Sequence, residues 1–143
     1  MAALMIPQEL LDYLDVQAAR AWAWGECDCT VGLVSDWIRL RRGIDPAAPY
    51  RARYSSPEAA RALVIEQGGF VPLIGHILDE AGLERTGAPI SGDIGVIDVD
   101  LGERQSMPVV GGVMGIRIGD LWVTRALHGL RYRAFPFAQA WRV

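Results

Sequence analysis

Trp24-Gly25-Glu26-Cys27-Asp28-Cys29 is the segment on which the reading of this chain turns. A helical pattern begins directly after its second cysteine, with Val31, Val34, Trp37, Ile38 and Arg41 recurring at helical spacing. The spacing predicts a helix over about 29–42, stopped by Gly43 and capped by Asp28 or Thr30. Cys29 therefore stands at a helix start, where unpaired backbone N–H groups and the helix dipole favour a thiolate. It is the chain's candidate nucleophile.

Toward the N-terminus, Leu10, Leu11, Leu14 and Ala18 predict a helix over 7–21, with Pro7 suited to its start. On the other side, Asp45-Pro46-Ala47-Ala48-Pro49 reads as a loop, and Tyr50–Tyr54 as a short irregular stretch. Ser56-Pro57-Glu58 opens a third helix, with Ser56 as cap and Pro57 in the first turn, running to about Gln67 and ending at Gly68-Gly69. Residues 70–80 predict a fourth helix that ends near Gly82.

The pattern then changes. Gly92-Asp93 leads into the β-branched run Ile94–Val99; Val109–Ile118 and Leu121–Ala126 follow, separated by the hairpin signal Gly119-Asp120. Leu130–Phe135 and Trp141-Arg142-Val143 are further strand candidates. Helices first and strands later predict a single α+β domain over 1–143, with N-terminal helices packed on a C-terminal antiparallel sheet.

The chain has 143 residues, 51% of them hydrophobic, enough for one core without disulfides or metal. Its formal net charge is −3 and it has no basic arm, which argues against a nucleic-acid partner. All basic residues apart from His are Arg, and Asn is absent. Schiff-base and Ser-Lys chemistry are thereby excluded, as is a Cys-His-Asn triad drawn from this chain alone. No stretch reaches the roughly twenty apolar residues of a membrane span, and the N-terminus lacks a signal-peptide pattern. A soluble protein made in the cytoplasm is expected.

Helix–Cys–helix, then Gly-Asp, a strand and a hairpin, is an order that resembles the NlpC-like cell-wall cysteine peptidases, small papain-like domains that cut peptide bonds in peptidoglycan. Four matches carry the resemblance: Asp28-Cys29, Gly92-Asp93 followed by Ile94-Gly95-Val96, Gly115-Ile116-Arg117-Ile118-Gly119, and Leu121-Trp122-Val123-Thr124-Arg125-Ala126. The whole chain is more closely similar to a small branch of phages and prophages. That branch carries a Trp-Gly-x-x-Asp-Cys segment, an Arg-x-Arg-Tyr segment (here Arg51-Ala52-Arg53-Tyr54) and an Ala-Trp-Arg-Val-like end (here Ala140 to Val143). The resemblance implies a papain-like NlpC arrangement and a place at the tail tip of the virion, after synthesis in the host cytoplasm. The implied partners are other tail-tip proteins of hub or tail-fibre type, with peptidoglycan as a further contact.

Two positions depart from the peptidase pattern. The family's catalytic His precedes Gly-Ile by two positions, which is Val113 here, and Met114 after it takes no proton either. The polar residue that orients the imidazole from the next strand corresponds to Arg125. Asp28, Val113 and Arg125 thus read as a vestigial site around Cys29. A cysteine protease needs a base near its thiol, and losing general acid–base help costs about 10²–10⁴ in rate. His128, in Leu127-His128-Gly129, is the remaining candidate base; its bland reading is an exposed turn residue. His76 reads as a residue of the fourth helix.

Other chemistry is thinly represented. Cys27-x-Cys29 lacks the ligand count of zinc or iron–sulfur sites, so no metal is expected, and buried packing is the alternative role for these cysteines. Asp98 and Asp100 share a strand face without forming a cage, Glu103 follows them, and Gly111-Gly112 is no phosphate loop, so no cofactor is expected. Most of the five Trp residues read as core. The first functional expectation is a phage tail-tip or baseplate component, a degenerate NlpC-like fold acting as a structural or adaptor protein. The alternative is an active peptidoglycan cysteine peptidase with Cys29 as nucleophile.

Overall fold

The computed structural model describes residues 5–51, 53–98 and 112–143. Ala52, Val99, Asp100, Glu103 and the 109–111 stretch, named above, lie outside them. The fold is α+β. Helices α1 (Gln8–Ala18), α2 (Asp36–Arg42), α3 (Pro57–Glu66) and α4 (Phe70–Glu80) precede the strands β1 (Arg85–Thr86), β2 (Ile94–Ile97), β3 (Val113–Ile118), β4 (Leu121–Ala126), β5 (Gly129–Arg133) and β6 (Phe137–Trp141). The strands form one antiparallel sheet in the order β1-β6-β2-β3-β4-β5.

Local chemistry sets the element ends. Ser56 Oγ accepts the Ala59 N–H at 3.1 Å and starts α3, a cap worth about 1 kcal/mol. Gly43, at φ +69, stops α2 in the left-handed conformation. The first helix is shorter than the expected 7–21: past Ala18 the chain tightens, with Ala19 N–H on Val16 O and Arg20 N–H on Gln17 O. Cys29–Arg42 is helical as expected, but its first part, Cys29–Ser35, is wound as a π-helix. Leu33 N–H reaches back five residues to Asp28 O (2.9 Å), while Tyr13 OH donates to Leu33 O (2.6 Å) and Gly32 O (3.2 Å). Gly32 passes so close over the preceding turn that a Cβ there would lie 2.4 Å from Cys27 Cα.

The Gly119-Asp120 hairpin joins β3 to β4 with Ile118 opposite Leu121. The last strand begins earlier than the C-terminal segment suggested, at Phe137, and β5 ends at Arg133 rather than Phe135. β1 has only two residues and exists through pairing with β6.

Alternation gives the sheet two faces. Gly112 packs under Phe70 of α4, Trp141 Nε1 donates to Asp79 of α4 (3.1 Å), and Arg125 reaches α1. Gly112, Met114, Ile116, Val123, Arg125 and Trp141 therefore belong to the helix-covered face. Gly95, Val113, Gly115, Arg117 and Trp122 belong to the other, where Arg117 lies 5.3 Å over the Trp122 ring and Phe137 packs at 5.5 Å. The hydrophobic core joins the first face to Leu10, Leu14, Leu33, Trp37, Ile38 and Ile74.

Candidate functional site

The π-helical segment packs on β3 and β4, which brings Cys29 against the sheet. Asp28 builds the turn that holds it. Ala23 and Cys27 exchange backbone hydrogen bonds (2.9 and 2.7 Å), leaving Gly25 at φ +74. The extended Asp28 then caps the helix: its Oδ1 accepts Thr30 N–H (3.1 Å) and Val31 N–H (2.7 Å). Its Oδ2 accepts Gly25 N–H (3.0 Å) and Tyr54 OH (2.5 Å). The carboxylate is 3% exposed, and four donors replace its water. Of the two caps left open by the sequence, Asp28 is the one used.

Tyr54 comes from the Arg51-to-Tyr54 segment. Arg51 anchors that segment through Asp45 (Nε, 2.7 Å) and Asp36 (Nη2, 2.6 Å), holding it against the start of α2. Burial and the Asp28 carboxylate push the Tyr54 phenol far above its ordinary range, so it acts as a hydrogen-bond donor. Trp22, Trp24 and Tyr54 stand edge to face in sequence, with centroids 5.1 and 6.3 Å apart.

Cys29 is 9% exposed and its thiol is pushed up to about 11, by burial first and by Asp28 second. The Met114 backbone and Thr30, whose Oγ1 lies 3.6 Å from the sulfur, pull the other way but do not prevail. The helix start does not deliver the thiolate that the sequence suggested, because the carboxylate capping that start is adjacent and water is excluded. Cys27 is also buried and both thiols are free.

The sulfur meets β3 at Met114, on the helix-covered face. Val113 is buried, but alternation turns its side chain to the other face, opposite Ile97. Continuing the Ile116–Val123 pairing by two residues places Arg125 across from Met114. Arg125 is fully buried and engaged elsewhere: it donates to Gln17 O (2.6 Å), Gln17 Oε1 (2.9 Å) and Arg20 O (2.9 Å) at the end of α1. Burial works against its charge, and its Nε has no acceptor among the described residues. The guanidinium is thus a C-terminal cap supplied from the sheet.

The two histidines are elsewhere. His76 is exposed on α4, with Nε2 3.5 Å from Glu80. His128 is exposed in the β4–β5 turn, and neither is among the groups that act on the Cys29 thiol. The Gly92-Asp93 turn is a structural junction. Trp37 Nε1 donates to Gly92 O (2.7 Å), while Asp93 accepts from Arg142 Nε (3.0 Å), Val143 N–H (3.2 Å) and Ile90 N–H (2.9 Å).

Above Cys29 lies a cavity of about 80 Å³, walled by the π-helical segment, α3, α4 and the start of β3. Phe70, Ile74, Leu63 and Met114 make it apolar, and the half-buried Trp24 and Tyr54 also line it. Trp37, Trp122 and Trp141 are core, as expected, whereas Trp22 and Trp24 belong to this cavity. No group of three or more His, Cys, Asp or Glu among the described residues is placed to hold a metal ion, and no helix among them is long and apolar enough to cross a membrane.

A family model described as a domain of unknown function (DUF6950) matches residues 5–143. No curated protein and no solved structure matches the chain.

Proposed function

We propose that this chain, which belongs to the DUF6950 family, is a non-catalytic binding protein: a papain-like NlpC arrangement whose cysteine site has become part of the core. Its place is the phage tail tip or baseplate, as a structural or adaptor component bound to hub or tail-fibre-type proteins. The observation that carries this reading is the environment of Cys29. The thiol is buried, held in its protonated form at neutral pH, and faces Met114 rather than a proton acceptor.

Acyl transfer from a peptide bond requires a thiolate and then a proton for the leaving amine. The groups nearest the sulfur supply neither. Asp28 has its oxygens committed to Gly25, Thr30, Val31 and Tyr54, and Arg125 is committed to α1. The tail-tip placement rests on the sequence resemblance alone. The segments that carry it serve structure here: Arg51 and Tyr54 brace the cysteine turn, and Arg142 ties the last strand to Asp93.

The test has two arms. Purified peptidoglycan is incubated with wild type and with Cys29→Ala, and released muropeptides are measured; background release from both is expected, and Cys29-dependent release restores the peptidase alternative. Mass spectrometry of phage particles produced with the chain then reports its location. Co-sedimentation with tails is expected, and a chain confined to soluble host fractions overturns the tail assignment.

A further inference from the structure

The cavity over Cys29 has the size and lining of a socket for one aliphatic side chain. Its volume, about 80 Å³, is about half of the roughly 150 Å³ apolar space that admits benzene. A group of a few carbons fits; an aromatic ring or a fatty acyl chain does not. The apolar wall would strip water from a charged head without replacing it.

One polar feature lies beside this wall. Arg53 is exposed, and its guanidinium lies 5.6 Å over the ring of Tyr50, another lining residue. Arg51 is neutralised by Asp36 and Asp45, but no carboxylate among the described residues pairs with Arg53. A cation therefore stands at the margin of an apolar hole.

The geometry points to this cavity as the docking socket for a partner-protein segment that carries a branched aliphatic side chain (Val, Leu or Ile) next to an acidic residue. The inference rests on the binding-protein reading above and names the chemistry of that partner. The aliphatic side chain fills the space against Phe70, Ile74 and Met114. The acidic side chain meets Arg53. Burial of the aliphatic group supplies most of the affinity, and the exposed ion pair adds selectivity.

The test is a titration of the full chain followed by the indole N–H signals of Trp22 and Trp24 in ¹⁵N-correlated NMR spectra. The probes are acetyl-Leu-Glu-amide, acetyl-Ala-Glu-amide, acetyl-Leu-Gln-amide and octanoate. Saturable shifts with acetyl-Leu-Glu-amide are expected, weakened about tenfold or more by Leu→Ala in the peptide. Exchange of the peptide Glu for Gln weakens binding about threefold, and Arg53→Gln, an exposed change, abolishes that difference. The proposal is overturned by no saturable shift, by equal binding of the Leu and Ala peptides, by equal binding of the Glu and Gln peptides, or by saturation with octanoate alone. No hydrolysis enters this titration. Its failure leaves the non-catalytic reading standing, whereas Cys29-dependent muropeptide release removes that reading whichever peptide binds.

Discussion

Arg125 donates to the main-chain carbonyl of Gln17 across 2.6 Å, joining the fourth strand to the end of the first helix through a fully buried guanidinium. One side chain thus answers the carbonyls of Gln17 and Arg20 and the Gln17 amide oxygen, the Gln17 carbonyl also accepting Arg20 N–H. Arg125→Ala leaves the Arg20 carbonyl and the Gln17 amide oxygen without their donor and opens a cavity, so a loss of about 3–4 kcal/mol in urea unfolding is expected. Arg125→Lys should recover less than half of it, because an ammonium cannot span acceptors that the planar fork meets together. Wild-type stability of the Lys variant would contradict the bidentate role.

Met114, not Val113, is the β3 residue on the face that carries the Cys29 sulfur. A guanidinium introduced at Met114 (Met114→Arg), which stays protonated where the thiol titrates, should therefore lower the ionisation midpoint of the thiol, since a nearby positive charge stabilises thiolate. Val113→Arg should leave the midpoint unchanged. Following Cys29 Cβ by ¹³C NMR across pH, in a Cys27→Ala background, separates the two, and a shift with Val113→Arg alone would mean that the faces of β3 are assigned the wrong way round.

The local features of this fold are readable in the sequence because their causes are local. Asp28 before Cys29, Ser56 before Pro57, Gly43 after Arg42 and the Gly119-Asp120 pair each act within a few residues, and each ends or starts an element as expected. The site is less legible. Its partners are remote in sequence: Tyr54 reaches Asp28 over 26 positions and Arg125 reaches Gln17 over 108. Strand alternation makes a one-residue assignment decisive, so motif spacing that pointed to Val113 chose the face opposite the sulfur. The π-helical winding depends on Tyr13 and on the passage of Gly32 over Cys27, neither of which a period in the sequence reveals. A lone aromatic, Tyr54, after two arginines carried no signal that its hydroxyl would serve a buried carboxylate.

Gly32 and Gly43 differ in why they are glycine. A methyl at Gly32 would collide with backbone at 2.4 Å, whereas at Gly43 nothing lies within 4 Å and only the left-handed φ of +69 is strained. Gly32→Ala should cost about 3 kcal/mol or more, because the π-helical segment must lift from Cys27. Gly43→Ala should cost about 1–2 kcal/mol. Comparable losses in denaturant titrations of the two variants would show that the close approach at Cys27 is not a constraint.

Alkaline stability follows from the buried thiol. The Cys29 pKa is raised in the folded chain, from 9.0 to about 11, so the unfolded chain releases this proton first as pH rises. The contribution is fully present below pH 9 and is lost between there and about 11, amounting to on the order of 2 kcal/mol. Tyr13 and Tyr54 are raised as well and act in the same direction at higher pH. Unfolding free energies measured from pH 8 upward should fall for wild type and fall less steeply for Cys29→Ala; parallel slopes would contradict a protonated buried thiol.

The ionisation of Cys29 itself bears most directly on whether this site is catalytic. In a chain carrying ¹³C at cysteine Cβ and Cys27→Ala, the Cys29 resonance should keep its thiol position through neutral pH and titrate near 11. A midpoint at or below about 7, the range of activated catalytic cysteines, would mean that a thiolate is maintained at the helix start and that the protein is built for chemistry rather than for binding alone.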